Sequence, residues 1–401
     1  MQSKGISILG STGSIGTNTL RVLERFPHRF RVVGLAGGRR SDLLREQIAR
    51  FRPIVVSLAS EEEALALRSE FPEVEVRSGV EGMVGVATHV ECDFVMSATV
   101  GAVGLVPTLR AIEAGKTVGL ANKETLVMAG ELMTRAVKDG GGALLPVDSE
   151  HNAVHQCLDG RSHGVKRIWL TASGGPFRKS SLEDMRRATA ADALKHPTWV
   201  MGPKITIDSA TMMNKGLEIV EAHWLFGVSP DKVKVVVHPQ STIHSMVEFE
   251  DGSLVAQLGV TDMRLPIQYA LTYPDRLETA LPPLDLDSPL SLDFHPPDFD
   301  RFPCLALAYR ALEAGGTAPA TLNAANEVAV AAFLDDRIPF LAIPEIIEET
   351  LSRLDRREAS DLETILAADR RAREEAERLV SSKKLGSGAP AGQRLTISGA
   401  P

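Results

Sequence analysis

Cysteine is scarce in this chain, with three among 401 residues (Cys92, Cys157 and Cys304) and no Cys-x-x-Cys pair. This excludes a disulfide framework and a paired-cysteine zinc site, and it fits a reducing compartment. Positive charge is not in excess either. Lys and Arg total 44 against 52 Asp and Glu, so the net charge of -8 leaves no broad basic surface for a nucleic acid. No apolar run approaches the ~20 residues of a membrane span. A strand that begins by Gly5 leaves no room for a signal or transit peptide. The expectation is a cytoplasmic protein with no nucleic-acid and no membrane partner.

The remaining composition, 44% hydrophobic and 24% charged, is that of a globular protein too long for one core. Gly5–Leu9 reads as a strand running into Gly10-Ser11-Thr12-Gly13-Ser14-Ile15-Gly16, and then a helix carrying Leu20, Val22, Leu23 and Phe26. Glycines at such a turn let the backbone approach a pyrophosphate, and the helix N-terminus favours its charge. The second strand, Phe30–Leu35, ends at Gly38-Arg39-Arg40, where a NAD site would carry an acid for the ribose hydroxyls. Two arginines suit a 2′-phosphate, so the expected cofactor is NADPH. Further strands at 54–56, 94–96 and 117–120 alternate with helices, which predicts a mostly parallel sheet. The last of these delivers Asn122, Lys123 and Glu124 at its carboxyl end, where ligands bind in such sheets.

The stretch Leu-Pro-Val-Asp-Ser-Glu-His, 145–151, brings Asp148 and Glu150 two residues apart after an apolar approach. Paired carboxylates suit a hard divalent cation, and an extended backbone would send both to one face. The plainer reading is an acidic loop start. A helix is expected near 153–158 and a strand over 165–171, with Ser173-Gly174-Gly175-Pro176-Phe177 next. Residues 196–202 mix His196, Trp199 and Met201 between Pro197 and Gly202-Pro203, so they form no regular element and read either as buried packing or as a lid. From Asn214 the chain reads as helical, with Lys215, Glu218 and Glu221 along one face. That face is either a solvated stripe or, with Ser209 and Asn214 before it, the source of a third carboxylate at Glu218. Strands come next at 233–237, 246–249 and 253–258, the last two joined by Asp251-Gly252. The rest is a proline-rich linker and then helices, the last opened by a capping box at Ser360–Glu363.

The fold class expected is α/β: an N-terminal Rossmann-like NADPH-binding domain (1–147), a central α+β catalytic domain (148–278), a linker (279–303), a C-terminal α-helical bundle (304–381) and a disordered tail (382–401).

In order, Gly-Ser-Thr-Gly-Ser-Ile-Gly, Ala-Asn-Lys-Glu, Pro-Val-Asp-Ser-Glu-His, Ala-Ser-Gly-Gly-Pro-Phe, His-Pro-x-Trp-x-Met-Gly and Met-Asn-Lys-Gly-Leu-Glu resemble the 1-deoxy-D-xylulose 5-phosphate reductoisomerase family over about residues 5–345. The resemblance implies NADPH-dependent rearrangement and reduction of that phosphorylated sugar in non-mevalonate isoprenoid synthesis, by retro-aldol cleavage, re-addition and hydride transfer. It implies a homodimer, and Mg²⁺ or Mn²⁺ (Co²⁺ also fits) on Asp148, Glu150 and Glu218, with Glu221 close by. It assigns the substrate phosphate to Ser173, Ser209, Asn214 and Lys215, the sugar oxygens to Ser149 and Lys123, a further share of substrate binding to Glu150 and Glu218, and a flap to His196, Trp199 and Met201. NADPH falls to Thr12, Gly13, Ser14, Ile15, Gly38, Arg39, Arg40, Asn122 and Glu124. The implied catalytic set is Lys123, Asp148, Glu150, Glu218 and His196, with Lys123 and Glu150 as candidate proton carriers. Arg40 and Thr198 depart from the family, where asparagine is common.

Two other classes share parts of this pattern. A plain NADP-dependent dehydrogenase needs no carboxylate triad or aromatic lid, and a redox-sensing binding protein shares the cofactor turn but can dispense with Asp148, Glu150 and Glu218 together. Replacing Arg39 and Arg40 by Ala is expected to weaken NADPH by ~1.5–3 kcal/mol while NADH changes little, because a charge-assisted phosphate contact is lost. Fluorescence titration with both cofactors checks this; equal loss for the two would refute it.

Overall fold

The computed structural model describes residues 3–38, 40–161 and 163–385, with residues 384 and 385 described by backbone alone. Arg39 and the expected tail beyond 385 lie outside the described residues. The chain forms two compact units. The first takes the chain through Val165 together with Trp224–Phe226 and Gln240–Asp293; the second takes Lys166–His223, Gly227–Pro239 and the chain from Phe294 on.

The first unit begins with strand–helix alternation: β1 (Lys4–Leu9), α1 (Ser14–Arg25), β2 (Phe30–Ala36), α2 (Ser41–Phe51), β3 (Val55–Leu58), α3 (Glu61–Glu70), β4 (Glu75–Ser78) and α4 (Gly79–Ala87). It continues with β5 (Phe94–Ser97), α5 (Leu105–Glu113), β6 (Thr117–Leu120), α6 (Lys123–Gly140), β7 (Ala143–Pro146) and α7 (Ser149–Leu158). The seven strands are parallel, in the order β4-β3-β2-β1-β5-β6-β7. Such strands are buried on both faces, which is why they read in sequence as short apolar runs. Chain order reverses beside β1, so a crevice opens at the carboxyl ends of β1 and β5.

Gly10 sits at a φ of 84°, and a β-carbon there would lie 2.4 Å from the Ala98 carbonyl oxygen. At Gly16 it would lie 2.3 Å from Gly10 O, so the first and third glycines are demanded by packing. Gly13 caps α1 and is exposed, which leaves it to face a ligand. Later segments complete the unit: β10 (Ile243–Phe249) and β11 (Leu254–Leu258) pair antiparallel around the expected turn, and α12 (Arg264–Thr272) packs on α1. Ile267 and Leu271 of α12 join Ile8, Phe94, Leu145 and Val147 in one core.

In the second unit β8 (Val165–Ala172) and β9 (Val233–Val237) run parallel. Two short helices, α8 (Leu182–Arg186) and α9 (Ala190–Ala193), each carry a capping box and lead to the irregular stretch 196–202. Then come α10 (Pro203–Ala210) and α11 (Met213–Phe226), and, after Phe294, α13 (Pro303–Ala314), α14 (Ala318–Leu334), α15 (Ala342–Arg353) and α16 (Leu362–Leu385). α14 is buried on almost every side, against α13, α15, α16 and α10.

Some expectations need correction. Asp148 and Glu150 are not on an extended strand: β7 ends at Pro146 and α7 starts at Ser149, four residues before the expected helix. The cap of α16 is Asp361, which accepts from Thr364 N–H at 2.8 Å, and not a Ser360–Glu363 box. The helix also runs to Leu385, into the stretch expected as tail. Strand β4 and helices α10 and α12 carry no expectation from the sequence. No helix among the described residues is long and apolar enough to cross a membrane.

Because both partners at Gly16 are backbone, Gly16→Ala is expected to destabilise the fold by about 1–3 kcal/mol through overpacking. Urea unfolding measures it, and an unchanged midpoint would show that the turn yields freely.

Candidate active site

In the first unit the glycine turn is held from behind. Gly10 and Ser11 donate backbone N–H to Ala36 O, at 2.8 and 2.9 Å. Gln47 Nε2 donates to Ser11 O at 2.9 Å, and Arg40 donates to Thr12 O at 3.0 Å. Arg40 thereby lies against the turn, while Ser14 and Gly38 are exposed and Ile15 is half-buried. Sequence reasoning misses Gln47. Its one signal is a polar residue on the buried stripe of α2 between Leu44 and Ile48.

Asn122 caps α6 by accepting from Thr125 N–H, and its amide donates to Thr99 Oγ1 at 2.8 Å and Gly101 O at 2.9 Å. The next residue, Lys123, places Nζ 2.5 Å from Asp148 Oδ2 with both side chains nearly buried. Its neighbour Glu124 is buried as well. Asp148 stands at the N-terminus of α7 and accepts from Ser149 N–H at 3.0 Å, and Ser149 Oγ donates to Glu150 Oε2. Asp148 and Glu150 offer carboxylate oxygens within 4.8 Å of each other. The helix dipole favours both charges there. α7 is fixed by β7 behind it and by packing on β10 and β11. The structure thus joins Lys123, Asp148, Ser149 and Glu150 into one polar cluster at the carboxyl edge of the sheet.

In the second unit Ser173 and His196, 23 residues apart, meet: Ser173 Oγ lies 2.9 Å from His196 Nε2. His196 Nδ1 accepts the backbone N–H of Trp199 at 2.9 Å and of Thr198 at 3.3 Å. An accepting Nδ1 carries no proton, so the neutral ring holds its proton on Nε2 and donates it to Ser173. Burial lowers the His196 pKa from 6.5, in keeping with that neutral form. Ser173 Oγ also accepts from Gly175 N–H at 3.2 Å, which leaves its own proton to give to a ligand. A β-carbon at Gly175 would lie 2.5 Å from Ser209 O, so this turn packs directly on Ser209. Trp199 and Met201 are half-buried around a wholly exposed Val200.

On α11 the solvated-stripe reading fails. Lys215 is 3% exposed and Glu218 and Glu221 are both 0% exposed. Asn214 donates to Glu218 Oε1 at 2.6 Å, and Lys215 Nζ pairs with Glu218 Oε2.

Family models described as 1-deoxy-D-xylulose 5-phosphate reductoisomerase match residues 6–130, and those of its C-terminal domains match 144–226 and 258–375. The chain belongs to that reductoisomerase family. A reductoisomerase of Chlorobium phaeobacteroides is 54% identical over 381 residues, covering 94% of this chain and 100% of the relative. One of Anaeromyxobacter dehalogenans is 54% identical, over 95% of this chain and 98% of the relative. A crystal structure of DOX-P reductoisomerase with NADPH, fosmidomycin and magnesium superposes with a TM-score of 0.90 at 41% identity, covering 95% and 99% of the two chains. The Zymomonas mobilis reductoisomerase with NADPH gives 0.89 at 46% identity, over 95% and 100%. As a reductoisomerase the chain is an oxidoreductase, and the dehydrogenase and sensor readings fall away.

The His196 arrangement has a pH consequence. The folded pKa lies below the ordinary 6.5, so its stabilising effect is complete above 6.5 and is lost as the pH falls from there through the lowered folded value. A protonated Nδ1 can no longer accept from Trp199. The protection of the Trp199 amide against exchange is therefore expected to fall as the pH drops below 6.5 and through the lowered His196 value, and not to do so in His196→Gln. Exchange with no such pH step would refute the tautomer assignment.

Proposed function

We propose that this chain converts 1-deoxy-D-xylulose 5-phosphate to 2-C-methyl-D-erythritol 4-phosphate, with NADPH as reductant and a divalent cation, Mg²⁺ or Mn²⁺, as electrophile. The observation that carries the reading is the family match along nearly the whole chain, with a relative solved in complex with NADPH, fosmidomycin and magnesium. The residues fit both groups. The exposed Gly13 at a helix N-terminus, backed by Gln47 and flanked by Arg40, suits a pyrophosphate and a 2′-phosphate. Thr12, Ser14, Ile15, Gly38, Arg39, Asn122 and Glu124 complete the cofactor assignment.

Asp148, Glu150 and Glu218 would hold the cation, since three carboxylates make the hard oxygen donor set that Mg²⁺ and Mn²⁺ prefer. When bound, the cation supplies charge stabilisation on adjacent substrate oxygens, and NADPH supplies hydride. The chain's own groups do the rest. Lys123 keeps an ammonium proton beside Asp148, placed to orient a sugar oxygen, and Ser149 orients Glu150 by donating to it. Neutral His196 fixes Ser173 so that its hydroxyl proton points outward to a phosphate oxygen, with Ser209, Asn214 and Lys215 as further phosphate donors. The stretch carrying Trp199 and Met201 excludes water when it folds over the substrate.

A homodimer is part of this reading. β11 is an edge strand and exposes Leu254, Val255 and Leu258, the kind of apolar edge that a second copy covers.

Turnover is expected to need added Mg²⁺, with NADPH consumed and a branched product visible by carbon NMR. Asp148→Asn, Glu150→Gln and Glu218→Gln should each abolish turnover, about 10²-fold or more, while NADPH affinity stays nearly intact. Metal dependence surviving in all three variants would overturn the ligand assignment.

A further inference from the structure

α10 carries an ion pair with no part in the chemistry of metal, cofactor or sugar. Asp208 is 1% exposed, and Lys204, one turn before it, places Nζ 2.7 Å from its Oδ2. Its other oxygen, Oδ1, accepts from Asn326 Nδ2 at 2.8 Å. Asn326 belongs to α14, the buried centre of the C-terminal bundle, and its own Oδ1 is buried with no hydrogen-bond partner among the described residues. A carboxylate so deeply buried is held only while both partners stay in place. The clamp therefore pins α10 to α14 at this residue.

The backbone just beyond Asp208 gives the pin a purpose. Ser209 is next in sequence, and its carbonyl packs on the Gly175 turn that also fixes Ser173. Thr211 Oγ1 donates to Asp208 O at 3.2 Å and accepts from Met213 N–H at 3.3 Å, so the start of α11 hangs from the same backbone. Met212 between them is left-handed, at φ 59°, a conformation that a bulky residue keeps only when its surroundings enforce it. Asn214 and Lys215 lie one and two residues further on than Met213. Ser173, Ser209, Asn214 and Lys215 are thus all tied to the backbone around Asp208.

We propose that Asp208, clamped by Lys204 and Asn326, is a positioning residue that sets Ser209 and the entry to α11 at the spacing the substrate phosphate requires. The inference rests on the assignment of Ser173, Ser209, Asn214 and Lys215 to that phosphate. Asp208 touches no substrate; it acts through its neighbours, and it makes the C-terminal bundle the support of phosphate recognition.

The test uses the full chain with Mg²⁺ and NADPH, and it reads KM and kcat for 1-deoxy-D-xylulose 5-phosphate, the inhibition constant of inorganic phosphate, and the NADPH Kd. In Asn326→Ala, KM and the phosphate constant should rise together about 5- to 30-fold, with kcat within about threefold and NADPH Kd within about twofold. Asp208→Asn guards against misfolding, because its amide can still accept from Lys204 while Asn326 turns its idle oxygen to the new NH₂. With both contacts kept, it should leave both constants within about twofold of wild type. Wild-type values of both constants in Asn326→Ala, an equal shift in Asp208→Asn, or a fall in kcat and NADPH affinity alongside KM, would overturn the proposal. Ser209→Ala and Lys215→Ala separate the two levels. If they leave the phosphate constant unchanged, the phosphate assignment fails and takes this inference with it. If they raise it and Asn326→Ala does not, only the inference fails.

Discussion

Charge held out of water is the constraint on which the rest of this structure turns. Lys215 with Glu218 and Lys123 with Asp148 are two pairs almost wholly removed from solvent, and Asp208 with Lys204 and Asn326 is a third cluster nearly as deep. Each buried ion costs several kcal/mol in lost hydration, offset only by partners in good geometry. The partners must therefore ride on elements that do not wander. Lys215 and Glu218 share one helix face; Asp148 begins a helix wedged between a parallel sheet and a hairpin. Surface pairs such as Arg186–Glu183, each contributing ~0–1 kcal/mol, hold nothing in place.

The same constraint explains why the serine–histidine and lysine–carboxylate contacts have different characters. His196 is neutral and acts through direction, donating a hydrogen bond from Nε2–H to Ser173 while the loop backbone occupies Nδ1. Lys123 is charged and acts through field, 2.5 Å from Asp148. One arrangement aims a hydroxyl, and the other keeps a carboxylate cluster from repelling itself.

Much of the first sheet is legible in sequence because doubly buried parallel strands leave apolar runs, and because a glycine turn after the first of them has few other uses. β4 is not: it is an edge strand, Glu75–Ser78, with only Val76 buried, and it carries no run to see. α10 and α12 escape notice because each is short and has proline within its first turn, at Pro203 and Pro266. On α11 the positions are readable but their burial is not, since a three-residue spacing looks the same on a solvated face and on a buried one. Asp148 and Glu150 are expected on the wrong backbone because Pro146 reads as easily as a strand continuing as one ending. Ser173 and His196 carry no local sign of each other; only the fold of the segment between them makes the pair.

The interleaving of the two units has a bearing on how this chain can be cut. The sheet of the first unit closes its core with Ile267 and Leu271, and its α7 rests on β10 and β11, all supplied from beyond residue 239. A fragment that stops at Val165 would leave Ile8, Phe94 and Leu145 facing water on that side. One that starts at Lys166 would carry an orphaned hairpin and α12 with no sheet to cover. No single scission yields an autonomous half. Synthesis from the ribosome meets the same fact: the first unit cannot finish its core until more than two-thirds of the chain has emerged, long after its seven strands are available to pair.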